Sequence, residues 1–231
     1  LAMMRIGVAM LQGARYEHCE ALQHAATEMD SEVQIVKLRK ASEVDGSIDG
    51  LILPGGESTT MRIASQSESL LHGIFSWMHE YPNRPVLGTC AGAILLANPG
   101  LNNKPFVDVE VSRNAWGRQR FSFEAPLTVL LDTPHHNTQA TIELARDRFN
   151  HKPLPMANQA ANNEGDSFPG VFIRAPRFVQ ESIRCEKIVT LNDETVGVLQ
   201  GSKLALTFHP ELTNDRRFHR WLINEIIENK S

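Results

Sequence analysis

Cys90 stands in Gly88-Thr89-Cys90-Ala91-Gly92, after the short apolar run Val86-Leu87 and before an apolar, alanine-rich stretch at 93–97. A strand that turns sharply into a helix through Gly-x-Cys-x-Gly is a nucleophile elbow with cysteine in place of serine. Neighbouring backbone crowds such a turn, so the flanking residues must be small, as Gly88 and Gly92 are. The elbow sets Cys90 at a helix N-terminus, where the helix dipole favours thiolate over thiol. His209 closes the apolar run 204–208 and is followed by Pro210 and Glu211. It could take the proton of Cys90, while Glu211 holds the imidazole in the right tautomer and the proline stiffens the link. The chemistry of such a set is thiolate attack on a carbonyl. The plainer alternatives are a buried cysteine in a strand-loop-helix turn and a structural histidine after a strand.

Two further stretches could hold a substrate. Pro54-Gly55-Gly56-Glu57-Ser58-Thr59-Thr60 follows an apolar strand. Its glycines let backbone amides face a ligand closely, and Ser58 or Thr59 can cap the next helix, leaving a site for an anionic group at its N-terminus. Arg113-Asn114-Ala115-Trp116-Gly117-Arg118-Gln119 gathers cationic and amide side chains around a glycine. Such a group can hold a carboxylate, with arginine offering a two-pronged fork. A plain turn would use the same residues, and only the placement of the first stretch beyond a strand's carboxyl end, like that of Cys90, favours a ligand.

The elements that must position these residues follow from periodicity. Apolar runs at 5–10, 33–36, 50–53 and 85–89 read as strands, and helical spacing places helices at 15–29, 67–80 and 215–229. Cys19 lies on the first helix as a packing residue. Strands at 187–191, 195–200 and 203–208 are joined by short turns and read as antiparallel, with Gly201-Ser202 as a hairpin. The expected fold is α/β: a three-layer sandwich around a mostly parallel sheet with an antiparallel extension. Residues 1–231 read as a single domain. Residues 132–168 are rich in Asn, Gln, Ala, His and Pro and read as a loop insertion, mobile over 153–169. The adjacent His135 and His136 read as surface residues.

Composition narrows the function classes. Hydrophobic residues make up 42%, enough for a well-filled core. The net charge of -4, with no basic run, argues against a nucleic-acid partner. Three cysteines at 19, 90 and 185 do not make a disulfide framework, and no Cys/His cluster has zinc spacing. No apolar run reaches membrane-spanning length and no secretory signal is visible, so a cytoplasmic location is expected.

Taken together, the stretches resemble the class I, triad-type glutamine amidotransferases, which are flavodoxin-like. Within them the chain is most similar to the glutaminase subunits of pyridoxal 5'-phosphate synthase. The resemblance rests on residues 7–14 with Glu17-His18, 54–61, 88–97, 113–119, 172–176 and 208–213. It implies that Cys90 attacks the side-chain amide of L-glutamine, giving a γ-glutamyl thioester. His209 then serves as base and acid, and Glu211 orients it. Backbone amides near Gly56 and Ala91 would hold the oxyanion. Gly56, Glu57, Ser58, Arg113, Ile173 and Arg174 match glutamine-binding positions, with Arg113 the partner of the substrate carboxylate. No metal or cofactor is implied. The ammonia would pass to a separate barrel-shaped synthase subunit in a hetero-oligomer, for vitamin B6 biosynthesis. The alternatives are a glutaminase serving another synthase, a stand-alone γ-glutamyl hydrolase, and a binding module that has kept the fold; an intact triad argues against the last.

Overall fold

The computed structural model describes residues 3–100, 103–112, 122–134 and 165–231. The parallel half comprises β1 (Met4–Ala9), β2 (Val33–Leu38), β3 (Gly50–Leu53), β4 (Val86–Thr89) and β11 (Lys203–Leu206). The antiparallel half comprises β10 (Glu194–Gln200), β9 (Glu186–Leu191), β6 (Ser122–Val129) and β7 (Ser167–Ile173). Among the described residues they form one nine-stranded sheet, in the order β2-β1-β3-β4-β11-β10-β9-β6-β7. Strands β2 to β11 in that order run parallel, and each later strand is antiparallel to its neighbour. A separate small pair joins β5 (Val111–Ser112) to β8 (Arg177–Phe178).

Successive side chains of a strand point to opposite faces, so buried strands must be apolar on both. Ile6, Val8, Ile52, Leu87, Leu204 and Leu206 pack on one face against α1 (Arg15–Glu28) and α5 (Arg217–Lys230). Ala9, Leu51, Leu53, Val86 and Ala205 pack on the other face. That face is covered by α2 (Ser58–Ala64), α3 (Leu70–Glu80) and α4 (Ala91–Ala97). The architecture is the expected three-layer α/β sandwich. On α3, Leu70, Leu71, Ile74, Trp77 and Met78 are core, as is Cys19 on α1, the packing residue expected there.

Two local readings are corrected. Ser167, Phe168 and Pro169, expected in a mobile loop, instead open β7. Its proline is tolerated because β7 is an edge strand, lying opposite Pro126 of β6 where no ladder bond is required. The cap of α2 is Glu57, not Ser58 or Thr59. The Glu57 carboxylate accepts from Thr59 N–H at 2.9 Å, Thr60 N–H at 2.7 Å and Thr60 Oγ1 at 2.6 Å. A carboxylate reaches two backbone donors at once, where a serine hydroxyl would reach one. The anion site expected at this helix end is therefore filled by the chain's own side chain. Residues 135–164, most of the expected insertion with His135 and His136, and residues 113–119 with Arg113, lie outside the described residues.

Candidate active site

The strand β4 delivers Cys90 into the turn before α4, with Cys90 at φ 49° and ψ -106°. A non-glycine residue at positive φ is strained, by roughly 1–3 kcal/mol, and persists where its surroundings dictate it. Here Cys90 N–H donates to Leu206 C=O at 2.8 Å, which continues the β4–β11 ladder one residue past β4. Behind the turn, a Cβ on Gly92 would lie 1.9 Å from the Leu53 carbonyl oxygen. Only glycine lets α4 start this close to β3. The expected elbow is thus present, and Cys90 is 4% exposed.

Because β11 runs parallel beside β4, the chain leaving β11 emerges at the same sheet edge. His209 sits there, anchored by its N–H donating to Val171 C=O of β7 at 2.8 Å. A single 3-10 turn, Pro210–Leu212, folds Glu211 back under it. His209 Nδ1 donates to Glu211 Oε1 at 2.7 Å, and both residues are 6% exposed. Burial on its own would lower the His209 pKa. The Glu211 carboxylate and a hydrogen bond with Cys90 outweigh burial and hold it well above 6.5. Glu211, although buried, is held below the usual carboxylate range by its two imidazole neighbours, His18 and His209. His18 is completely buried, and desolvation pushes its pKa below 6.5.

Gly55 closes the third side. A Cβ there would lie 2.4 Å from His209 Cε1 and 3.2 Å from Cys90 Cβ. Its own carbonyl is covered by Gly13, where a Cβ would come within 1.7 Å of that oxygen. Gln12 braces the same loop, its Oε1 accepting from Glu57 N–H at 3.0 Å. Ser58 is buried in the first turn of α2 and Ala91 in the first turn of α4. Ile173 ends β7 two residues past Val171, the partner of His209, and Arg174 follows it at φ 42°. Among the described residues no group of three or more His, Cys, Asp or Glu is placed to hold a metal ion.

Residues 8–145 and 146–228 match the SNO glutamine amidotransferase family. The chain belongs to that family. It is 36% identical over 232 residues to pyridoxal 5'-phosphate synthase subunit PdxT of Geobacillus thermodenitrificans, covering 99% of this chain and 98% of that one. It is 35% identical over 231 residues to the subunit of the same name from Pyrococcus horikoshii, covering 97% and 100%. A crystal structure of a glutamine amidotransferase superposes with a TM-score of 0.67 at 34% identity, over 96% of this chain and 98% of that one. The glutaminase domain of Trypanosoma brucei CTPS shares the fold at 12% identity, with a TM-score of 0.58 over 97% and 94%.

Within this family member, three buried polar residues near Glu211 carry no assignment from sequence. His18 of α1 lies next to Glu211, and His219 of α5 and Thr89 of β4 lie next to His18. Their signal was a histidine inside an otherwise apolar helical face: His18 with Leu22 and Ala25, His219 with Leu222 and Ile226.

Proposed function

We propose that this chain is the glutaminase subunit of a pyridoxal 5'-phosphate synthase, hydrolysing L-glutamine to L-glutamate and ammonia. The observation that carries the chemistry is Cys90 in a strained elbow on one side of Gly55, with the Glu211-bonded His209 imidazole against the same glycine. A charged imidazole beside the sulfur stabilises the thiolate, which is the attacking species. Cys90 Sγ attacks the side-chain amide carbon of glutamine and the carbonyl π electrons move to oxygen. Backbone N–H groups of Gly56 and Ala91 receive that oxyanion. In support, the Gly55 carbonyl is turned onto Gly13, and a trans peptide directs the following N–H, that of Gly56, to the opposite side. His209 gives its proton to the departing nitrogen, ammonia leaves, and a γ-glutamyl thioester remains on Cys90. Water then adds to the thioester, His209 takes its proton, and the C–S bond breaks to release glutamate. Glu211 keeps Nδ1 of His209 occupied throughout, so that the other ring nitrogen serves the sulfur.

For the substrate's amino acid end we assign Glu57, Ser58, Ile173 and Arg174, with Arg113 pairing the α-carboxylate. The likeness to the PdxT subunits favours a separate synthase subunit as receiver of the ammonia, in the cytoplasm, within a hetero-oligomer. Ammonia release from glutamine by the purified chain, alone and with saturating synthase subunit, tests this reading. Turnover that rises when the synthase is added supports it. Full activity alone, unchanged by the synthase, favours a stand-alone hydrolase instead.

A further inference from the structure

Beyond the triad, a line of buried polar side chains runs from Glu211 into the helical layer. His18 and His219 are both 0% exposed, although they belong to helices 201 residues apart in sequence. His18 Nδ1 lies 3.0 Å from His219 Nε2. On its other side, His18 Nε2 lies 3.0 Å from Thr89 Oγ1 and 3.3 Å from Glu211 Oε2. Glu211 Oε1 is taken by His209, whereas Oε2 is buried with no aligned hydrogen bond. A buried carboxylate oxygen without compensation is costly, so the group nearest to it matters.

The ring protons can be placed by elimination. A neutral imidazole has one N–H and one lone pair. With the proton on Nδ1, His18 would turn a lone pair toward a carboxylate oxygen 3.3 Å away. His219 would then carry its own proton on Nδ1, which is buried with no partner. With the proton on Nε2, His18 offers an N–H to Thr89 Oγ1 and to Glu211 Oε2, and its Nδ1 accepts from His219 Nε2–H. The atom left over is then only an acceptor at His219 Nδ1, a smaller loss than a stranded donor or a repelled lone pair.

We infer that His18 is a positioning residue of the triad: its Nε2–H, fixed by His219, supports the free oxygen of Glu211 and ties it to Thr89, the residue before the nucleophile. One imidazole thereby bridges the strand that carries Cys90 and the turn that carries Glu211 and His209. It touches no reacting atom. Its effect passes through the carboxylate, which sets the ring plane of His209. The inference rests on the reading of the site as a glutaminase.

Three substitutions separate positioning from packing. In His18→Gln the side-chain amide N–H can stand where Nε2–H stood. In His18→Asn the amide reaches only the Nδ1 position, toward His219, and His18→Leu supplies no donor. Steady-state glutamine hydrolysis, with the synthase subunit present, should show kcat down roughly 10- to 100-fold for Asn and Leu, the size of effect that outer partners of metal-ligating histidines carry. His18→Gln should stay within roughly tenfold of wild type, and KM should change little in all three, since none meets substrate. Equal kcat for Gln and Asn, or a Leu variant with wild-type kcat, overturns the inference. Nitrogen NMR of the His18 ring in the unsubstituted chain decides the matter even where a variant does not fold. The expected result is Nε2 protonated and Nδ1 bare; the reverse tautomer overturns it. Should the wild type fail to hydrolyse glutamine at all, the glutaminase reading falls instead, and the tautomer result still stands on its own.

Discussion

Gly55→Ala is the sharpest test of how the site is packed. Gly55 is not among the positive-φ glycines, so alanine suits its backbone and the added methyl group is the whole perturbation. That methyl carbon would lie 2.4 Å from His209 Cε1, 3.0 Å from His209 Nδ1 and 3.2 Å from Cys90 Cβ. Ordinary contact begins near 3.4 Å, so the imidazole must retreat by about 1 Å. The ring is held on its Nδ1 side by the 2.7 Å bond to Glu211, and its backbone is held by Val171, so it has no free path. A misplacement of that size costs roughly 10²-fold in rate. Overpacking a filled site costs about 1–3 kcal/mol. At this chain length that lowers Tm by roughly 2–12 °C, leaving a folded protein at 25 °C. Ammonia release should therefore fall at least about 10²-fold while the circular dichroism spectrum is unchanged. A folded Gly55→Ala protein within threefold of wild-type kcat would refute the close approach of this loop to the imidazole, at roughly 0.6 kcal/mol of lost stabilisation.

The strain at Cys90 predicts that Cys90→Gly unfolds at a higher temperature than Cys90→Ala, by roughly 2–4 °C for each kcal/mol relieved; calorimetry showing the reverse order would remove the strain argument. Glu211→Gln should lower kcat less than His209→Ala, because Glu211 orients the group that moves the proton; rates in the opposite order would exchange their roles. His219 is held neutral by burial, its pKa well below 6.5. The unfolded chain therefore takes up a proton as pH drops through 6.5 while the folded chain does not, so stability is full above 6.5 and declines below it. Urea unfolding between pH 7 and pH 5 should show that slope in wild type and a flatter one in His219→Gln; equal slopes would count against a neutral buried His219.

Strands β1, β3 and β4 were legible because strands buried on both faces need uninterrupted apolar runs, and such runs end at Gly-Pro punctuation. The elbow, the His209-Pro210-Glu211 turn and the amphipathic α3 and α5 were legible for the same local reasons. The start of β7 was hidden by Pro169 and Gly170, which read as loop until the strand's edge position explains them. The cap of α2 was misread because Ser58 and Thr59 are better capping types in isolation. Only the backbone shows that Glu57 turns its carboxylate back over the helix end. The His18–His219 contact is a product of tertiary packing between α1 and α5, and no spacing rule joins residues so distant.

Isotope-labelled glutamine, incubated with the chain and saturating synthase subunit and quenched in acid during turnover, tests whether Cys90 is the nucleophile of a glutamine hydrolase. The label should be found as a thioester on the peptide that contains Cys90, and Cys90→Ala should lose label and ammonia release together, by at least ~10³-fold. Glutamine turnover that leaves no label on that peptide, or a folded Cys90→Ala protein that still releases ammonia at the wild-type rate, would contradict it.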